Sequence, residues 1–124
     1  MRTFDNTTAE SYLVADIDVV RWEQYGLGDA MPFNAMWYTV PAGSTSPPDC
    51  HPEVELSVVL SGSVTVSGDD TEAVVESGSA FLIESGETHW VRNSSDAPVV
   101  VFSAYWMPQD DEAGADTAET MAHA

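Results

Sequence analysis

The chain of 124 residues has no lysine and only three arginines, Arg2, Arg21 and Arg92, against 21 aspartates and glutamates. A formal charge of −18 repels other polyanions, so nucleic acid and anionic membrane surfaces are poor partners. Solubility is the simplest account of such a surface, including in a high-salt cytoplasm where its self-repulsion is screened. Cysteine is nearly absent too: Cys50 stands alone, which excludes an internal disulfide, and it reads as a bystander rather than a catalytic thiol. No apolar run reaches the length of a membrane span, and Met1 to Glu10 lacks the basic region and apolar core of a secretory leader. A cytoplasmic location is the resulting expectation. Long helical periodicity is also missing.

What is present is a succession of short strand-like runs. Hydrophobic residues make up 44% of the chain and aromatics 10%, enough for one globular domain and too little chain for two. Tyr12 to Ala15 and Val19-Val20 read as short extended pieces, with a turn near Trp22. Strands are expected over 34–40, 54–60, 63–67, 71–76, 80–83, 89–93 and 99–106, separated by Gly, Pro, Asp and Asn clusters. Ser61-Gly62 suggests a hairpin turn between the second and third of these, and Glu84-Ser-Gly86 a reversal that brings 89–93 back antiparallel to 80–83. The pattern predicts an all-β barrel or sandwich. From about residue 108 the composition turns acidic without apolar periodicity, which predicts a disordered acidic tail over 108–124 that includes His123.

The chemistry concentrates between Gly43 and Asn93. In an extended strand, residues of one parity share a face, so Asp49, His51, Glu53 and Glu55 would project together while Cys50, Pro52 and Val54 point away. One imidazole among three carboxylates is costly to desolvate unless a cation offsets the repulsion, and a divalent metal would do so. A closed coordination shell needs a donor from elsewhere, and His89 is at hand. The spacing is Gly43-x5-Asp49-x-His51-x3-Glu55-x6-Gly62, then Gly78-x5-Glu84-x-Gly86-x2-His89-x3-Asn93.

In these two segments the sequence resembles the cupin superfamily, whose motifs read Gly-x5-His-x-His-x3,4-Glu-x6-Gly and Gly-x5-Pro-x-Gly-x2-His-x3-Asn. Every spacing fits, and two residues depart: Asp49 stands in place of the first metal-binding histidine and Glu84 in place of the second motif's proline. The resemblance covers roughly 33–107 within a single domain of 1–107. It implies a double-stranded β-helix, or jelly roll, with an extended N-terminal segment, the two motifs on adjacent strands and their ligands converging inside the barrel. It also implies a homodimer formed through an outer sheet, for which the apolar run 99–106 is a candidate.

His51, Glu55 and His89 would form a set of two histidines and one carboxylate, suited to Fe, Mn, Ni, Co or Zn as one divalent transition metal. Asp49 is either a fourth ligand or a general base, with Glu53 a second candidate base and Glu55 a third. With so few cations, a highly charged phosphate is a poor substrate and a neutral or weakly charged organic metabolite a better one. The expected function is that of a small metal-dependent enzyme, a cyclase, isomerase or lyase using Lewis-acid and proton-transfer chemistry, or an oxygen-dependent dioxygenase. The alternative is a non-catalytic cupin that holds a ligand or serves assembly.

Overall fold

A computed structural model of the chain describes residues 1–109. The expected tail from 110 onward, with His123, lies outside the described residues. Nine strands follow in order: β1 Tyr12–Val14, β2 Ile17–Arg21, β3 Asn34–Val40, β4 Val54–Ser61, β5 Ser63–Gly68, β6 Glu72–Glu76, β7 Ala80–Ile83, β8 His89–Arg92 and β9 Val99–Trp106. One 3₁₀ turn, Trp22–Tyr25, follows β2 and ends on Gly26 in the left-handed region. Two antiparallel sheets face each other, one of six strands in the order β1-β2-β3-β9-β4-β7 and one of three in the order β6-β5-β8. This is the all-β jelly-roll arrangement.

Alternation decides what faces inward. On β9 every second residue is buried, placing Val99, Val101, Ser103 and Tyr105 inside. On β4 the inward set is Glu55, Ser57 and Val59, and these pair across with Tyr105, Ser103 and Val101. Val40, Val59, Val64, Val99 and Val101 form the closed end of the core, each fully buried or nearly so. β-Branched side chains suit this pleated, two-layered interior.

Two expectations are corrected by the topology. Ser61-Gly62 is not a hairpin turn: β4 pairs with β7 and β9, while β5 pairs with β6 and β8. Gly62 is instead the corner at which the chain passes from one sheet to the other. Its φ of +86° favours glycine, and a Cβ there would meet Val99 Cγ2 at 2.8 Å. Likewise, β7 and β8 do not pair, because the Glu84-Ser-Gly86 turn also crosses between sheets. The two motifs do lie on adjacent strands: β4 of the first pairs with β7 of the second, and Thr45 and Asp49, ahead of β4, form single bridges to Arg92 and His89.

β9 lies in the middle of its sheet, paired on both sides, so its apolar character serves the core. A second copy of the chain could meet only its outer face, where Trp22 already packs on Phe102 and Trp37. Leu56 and Leu82, paired across β4 and β7, remain exposed on the described surface.

Candidate metal centre

The segment from Asp49 to Glu53 is not the continuous strand that its alternation suggests. Pro47, Pro48 and Pro52 have no N–H to give a ladder, and regular pairing resumes only at Val54. Asp49 is tied to β8 by a reciprocal pair of backbone bonds with His89, each 2.9 Å. Gly86 N–H then donates to the His51 carbonyl at 2.8 Å, so the turn of the second motif holds the backbone of the first. By this route, rather than by strand parity, Asp49, His51, Glu53 and Glu55 still come to line one hollow, with Arg21, Met36 and Tyr105.

Beside that hollow, one donor atom from each of Asp49, His51 and His89 lies within 4.8 Å of the other two. The imidazole rings stand edge to face, their centroids 4.9 Å apart. Each histidine is oriented by the chain just beside it. His51 Nδ1 donates to the Glu53 carbonyl at 3.0 Å, and His89 Nδ1 to the Glu87 carbonyl at 2.9 Å. A carbonyl can only accept, so in both neutral rings the proton sits on Nδ1 and the lone pair is on Nε2. Fixing the outer nitrogen in this way is how proteins orient metal-ligating histidines.

Glu55 falls outside the mutually close trio but touches it. Its Oε1 lies 3.2 Å from His51 Nε2. With the ring proton committed to Nδ1, this contact sets a lone pair against a carboxylate oxygen, which only a second ring proton or a shared cation relieves. The other oxygen, Oε2, accepts from Ser57 and Ser103 hydroxyls at 3.1 Å each, and those two serines are 2.6 Å apart. All three side chains are buried, Ser57 and Ser103 completely. The donor set thus fits a divalent transition ion: two imidazoles with free Nε2, one exposed carboxylate at Asp49, and a buried carboxylate with one uncommitted oxygen. Glu53 contributes its carbonyl to His51 and its side chain to the wall of the hollow.

Asp49 and His89 of the trio also border a larger cavity of about 340 Å³. Val14, Ile17, Val19, Met36, Phe81 and Val91 give it apolar walls, while Asp49, Glu55, His89, Tyr38 and Arg21 supply the polar points. Few, placed polar groups in an apolar hollow are the ordinary composition of a small-molecule site. Burial, reinforced by the negative charge of Glu55, pushes the Tyr38 phenol well above its usual range, so it stays a protonated donor. Cys50 points elsewhere, its thiol toward the Gly86 carbonyl.

Two cavity residues are not visible in the motif spacing. Tyr38 reads as one aromatic among many until its register opposite Val101 turns it inward. Arg21 ends a strand whose alternation, Ile17, Val19, Arg21, is the signal: all three line the cavity. That signal is lost when only Val19-Val20 is taken as extended.

Comparison with known proteins agrees with this architecture. The Cupin domain family matches residues 36–105. A Cupin 2 conserved barrel domain protein from Salinispora arenicola superposes with a TM-score of 0.73 at 21% identity, covering 97% of this chain and 96% of that one. The polyketide cyclase RemF from Streptomyces resistomycificus gives 0.73 at 20% identity, over 85% of this chain and 78% of that one. A predicted oxalate decarboxylase from Thermotoga maritima gives 0.74 at 12% identity, over 86% of this chain and all of the other, 100%. With both motifs in register, nine strands in two facing sheets and a family match spanning more than half its length, the chain belongs to the cupin superfamily.

Proposed function

We infer that the chain is a small metal-dependent enzyme that acts on a small organic molecule held in the apolar cavity. The observation that carries this is the pair of imidazoles whose Nδ1 atoms are both spent on backbone carbonyls, leaving two Nε2 lone pairs beside Asp49, which with His89 lines that cavity. His51, His89 and Asp49 would hold the ion, leaving Glu55 Oε1 beside it. A bound ion from among Fe, Mn, Co, Ni and Zn would supply Lewis-acid polarisation of a substrate oxygen, or redox chemistry in the case of iron or manganese.

The remaining work falls to the chain's own side chains. The apolar wall binds the body of the molecule and excludes water, which strengthens every polar contact inside. Glu55 is the best placed proton carrier: two serine hydroxyls hold Oε2, so Oε1 can take a proton from the substrate and return it without the side chain moving. Glu53 and the unbonded oxygen of Asp49 are the outer alternatives. Tyr38 holds its proton and can donate a hydrogen bond to a developing negative oxygen. Likeness in fold to a polyketide cyclase and to a predicted oxalate decarboxylase supports proton-transfer chemistry of the cyclase, isomerase or lyase kind over an oxygen-dependent reaction.

The test is elemental analysis of protein purified without chelator or affinity tag, beside the His51→Ala/His89→Ala variant. Near-stoichiometric metal in the natural chain and none in the variant is the expected result. Zinc would direct assays to non-oxidative chemistry and iron to oxygen uptake. No metal in either protein, even after anaerobic loading with Fe(II), Mn(II), Ni(II) and Zn(II), would overturn the reading in favour of a ligand-holding barrel.

A further inference from the structure

Arg21 is the one cation among the cavity's lining residues. The other two arginines are spent elsewhere, Arg2 on the Tyr25 carbonyl and Arg92 beside Glu72. Its position follows from register: Arg21 pairs with Met36, Met36 with Ser103, and Ser103 with Ser57, so one inward row runs across the sheet from the guanidinium to the serines under Glu55.

The guanidinium is held from one side only. Nε donates to the Tyr12 hydroxyl and Nη1 to the Tyr105 hydroxyl, the latter at 2.7 Å, which leaves Nη2 without a partner among the described residues. Burial works against the charge, but the Tyr12 hydrogen bond and the Tyr105 oxygen more than offset it, and the pKa is raised further. Glu23, the one carboxylate paired with it, stands 3.8 Å away and receives the Tyr105 hydroxyl on both of its oxygens. The carboxylates across the hollow, Asp49, Glu53 and Glu55, make no ion pair with it. A charge kept permanent and braced by two phenols, on a residue that lines the cavity and keeps the N–H pair of Nη2 unpartnered among the described residues, is built to meet an anion. The fork geometry of Arg suits a carboxylate.

We propose that Arg21 forms an anion subsite at the cavity rim, and that the cavity takes a mono-anionic organic acid with an apolar body, its acidic oxygens on the Nη1–Nη2 edge and its far end towards the Asp49, His51 and His89 cluster. The charge limit comes from the same walls. A second negative group would face Asp49, Glu53 and Glu55 with no other cation to receive it. The subsite stands on its own geometry; only the direction of the far end rests on the metal reading.

The experiment titrates three acid and amide pairs, benzoate with benzamide, phenylacetate with phenylacetamide, and hexanoate with hexanamide, by calorimetry. The proteins are the zinc-loaded natural chain, Arg21→Met, Arg21→Lys and His51→Ala/His89→Ala. At least one acid should bind about tenfold more tightly than its amide, the worth of a charge-assisted hydrogen bond in a partly shielded site. Arg21→Met should remove that preference and leave amide affinity unchanged, and Arg21→Lys should keep part of it. Should Arg21→Met bind neither ligand, the lysine variant decides, since an undiminished preference there overturns the fork. The histidine double variant should retain the full preference. Its loss there would place the acid on the metal, overturning the subsite and leaving the metal reading intact. A preference shown by the natural chain when that chain itself takes up no metal would do the reverse. Equal affinity for acids and amides in the natural chain, or no binding of any acid, overturns the subsite as well.

Discussion

The two motifs deliver their side chains from opposite kinds of structure. His89, Val91 and Asn93 rise from a regular strand and its immediate end, each with 9% exposure or less. Asp49 is exposed and His51 half-buried, on a proline-flanked segment held only by single bridges and the Gly86 turn. Glu55, one strand position into β4, belongs with the anchored side. The centre thus has a rigid half, His89 and Glu55, and an adjustable half, Asp49 and His51. A rigid half fixes where a ligand sits, and an adjustable half lets coordination change as it binds, in keeping with functional residues on loops set against a stiff scaffold.

The largest effect that sharpens this comparison is expected at Asn93. Its side-chain amide donates to the Val40 and Ala97 carbonyls, and its oxygen accepts from Ser95 N–H and hydroxyl. Asn93→Ala strands several of these groups in a site with no solvent access, so urea unfolding should show a loss of about 3 kcal/mol or more. Next comes the brace beneath Glu55. Ser103→Ala removes one of two hydroxyl donors to a buried carboxylate and should cost about 1–3 kcal/mol by the same measurement. The smallest stability effect belongs to the adjustable half: Asp49→Asn should change unfolding by no more than about 0.5 kcal/mol, yet lower metal affinity by about tenfold or more in a competition titration. Equal stability losses at Asp49 and Asn93 would break the division into halves.

Reading along the chain gave the strands but not their company. The bounds of β3, β7 and β9 coincide with what propensity and turn residues suggest, because alternation and β-branching act over a few residues. Gly62 looks the same locally whether the chain folds back or crosses over. What decides is the bulge before it and the closeness of Val99, some 37 positions away. The gathering of Asp49, His51 and His89 was legible because the motif spacing carries it, although the regular strand expected there is interrupted at Pro52. Arg21 was not, since its one signal, the alternation Ile17, Val19, Arg21, is lost when the extended run is confined to Val19-Val20.

The place of β9 bears on how the protein is made. The six-stranded sheet has its last-synthesised strand near the middle, between β3 and β4. As the chain emerges, β1-β2-β3 can pair, and so can β4 with β7, but the two parts have nothing to join them until residues 99–106 follow. Until then β3 and β4 are open edges, the kind that recruit strands from neighbouring chains. Of the 21 acidic residues 16 precede residue 99, so a chain still waiting for β9 already carries a net −13, a repulsion that opposes such recruitment between copies.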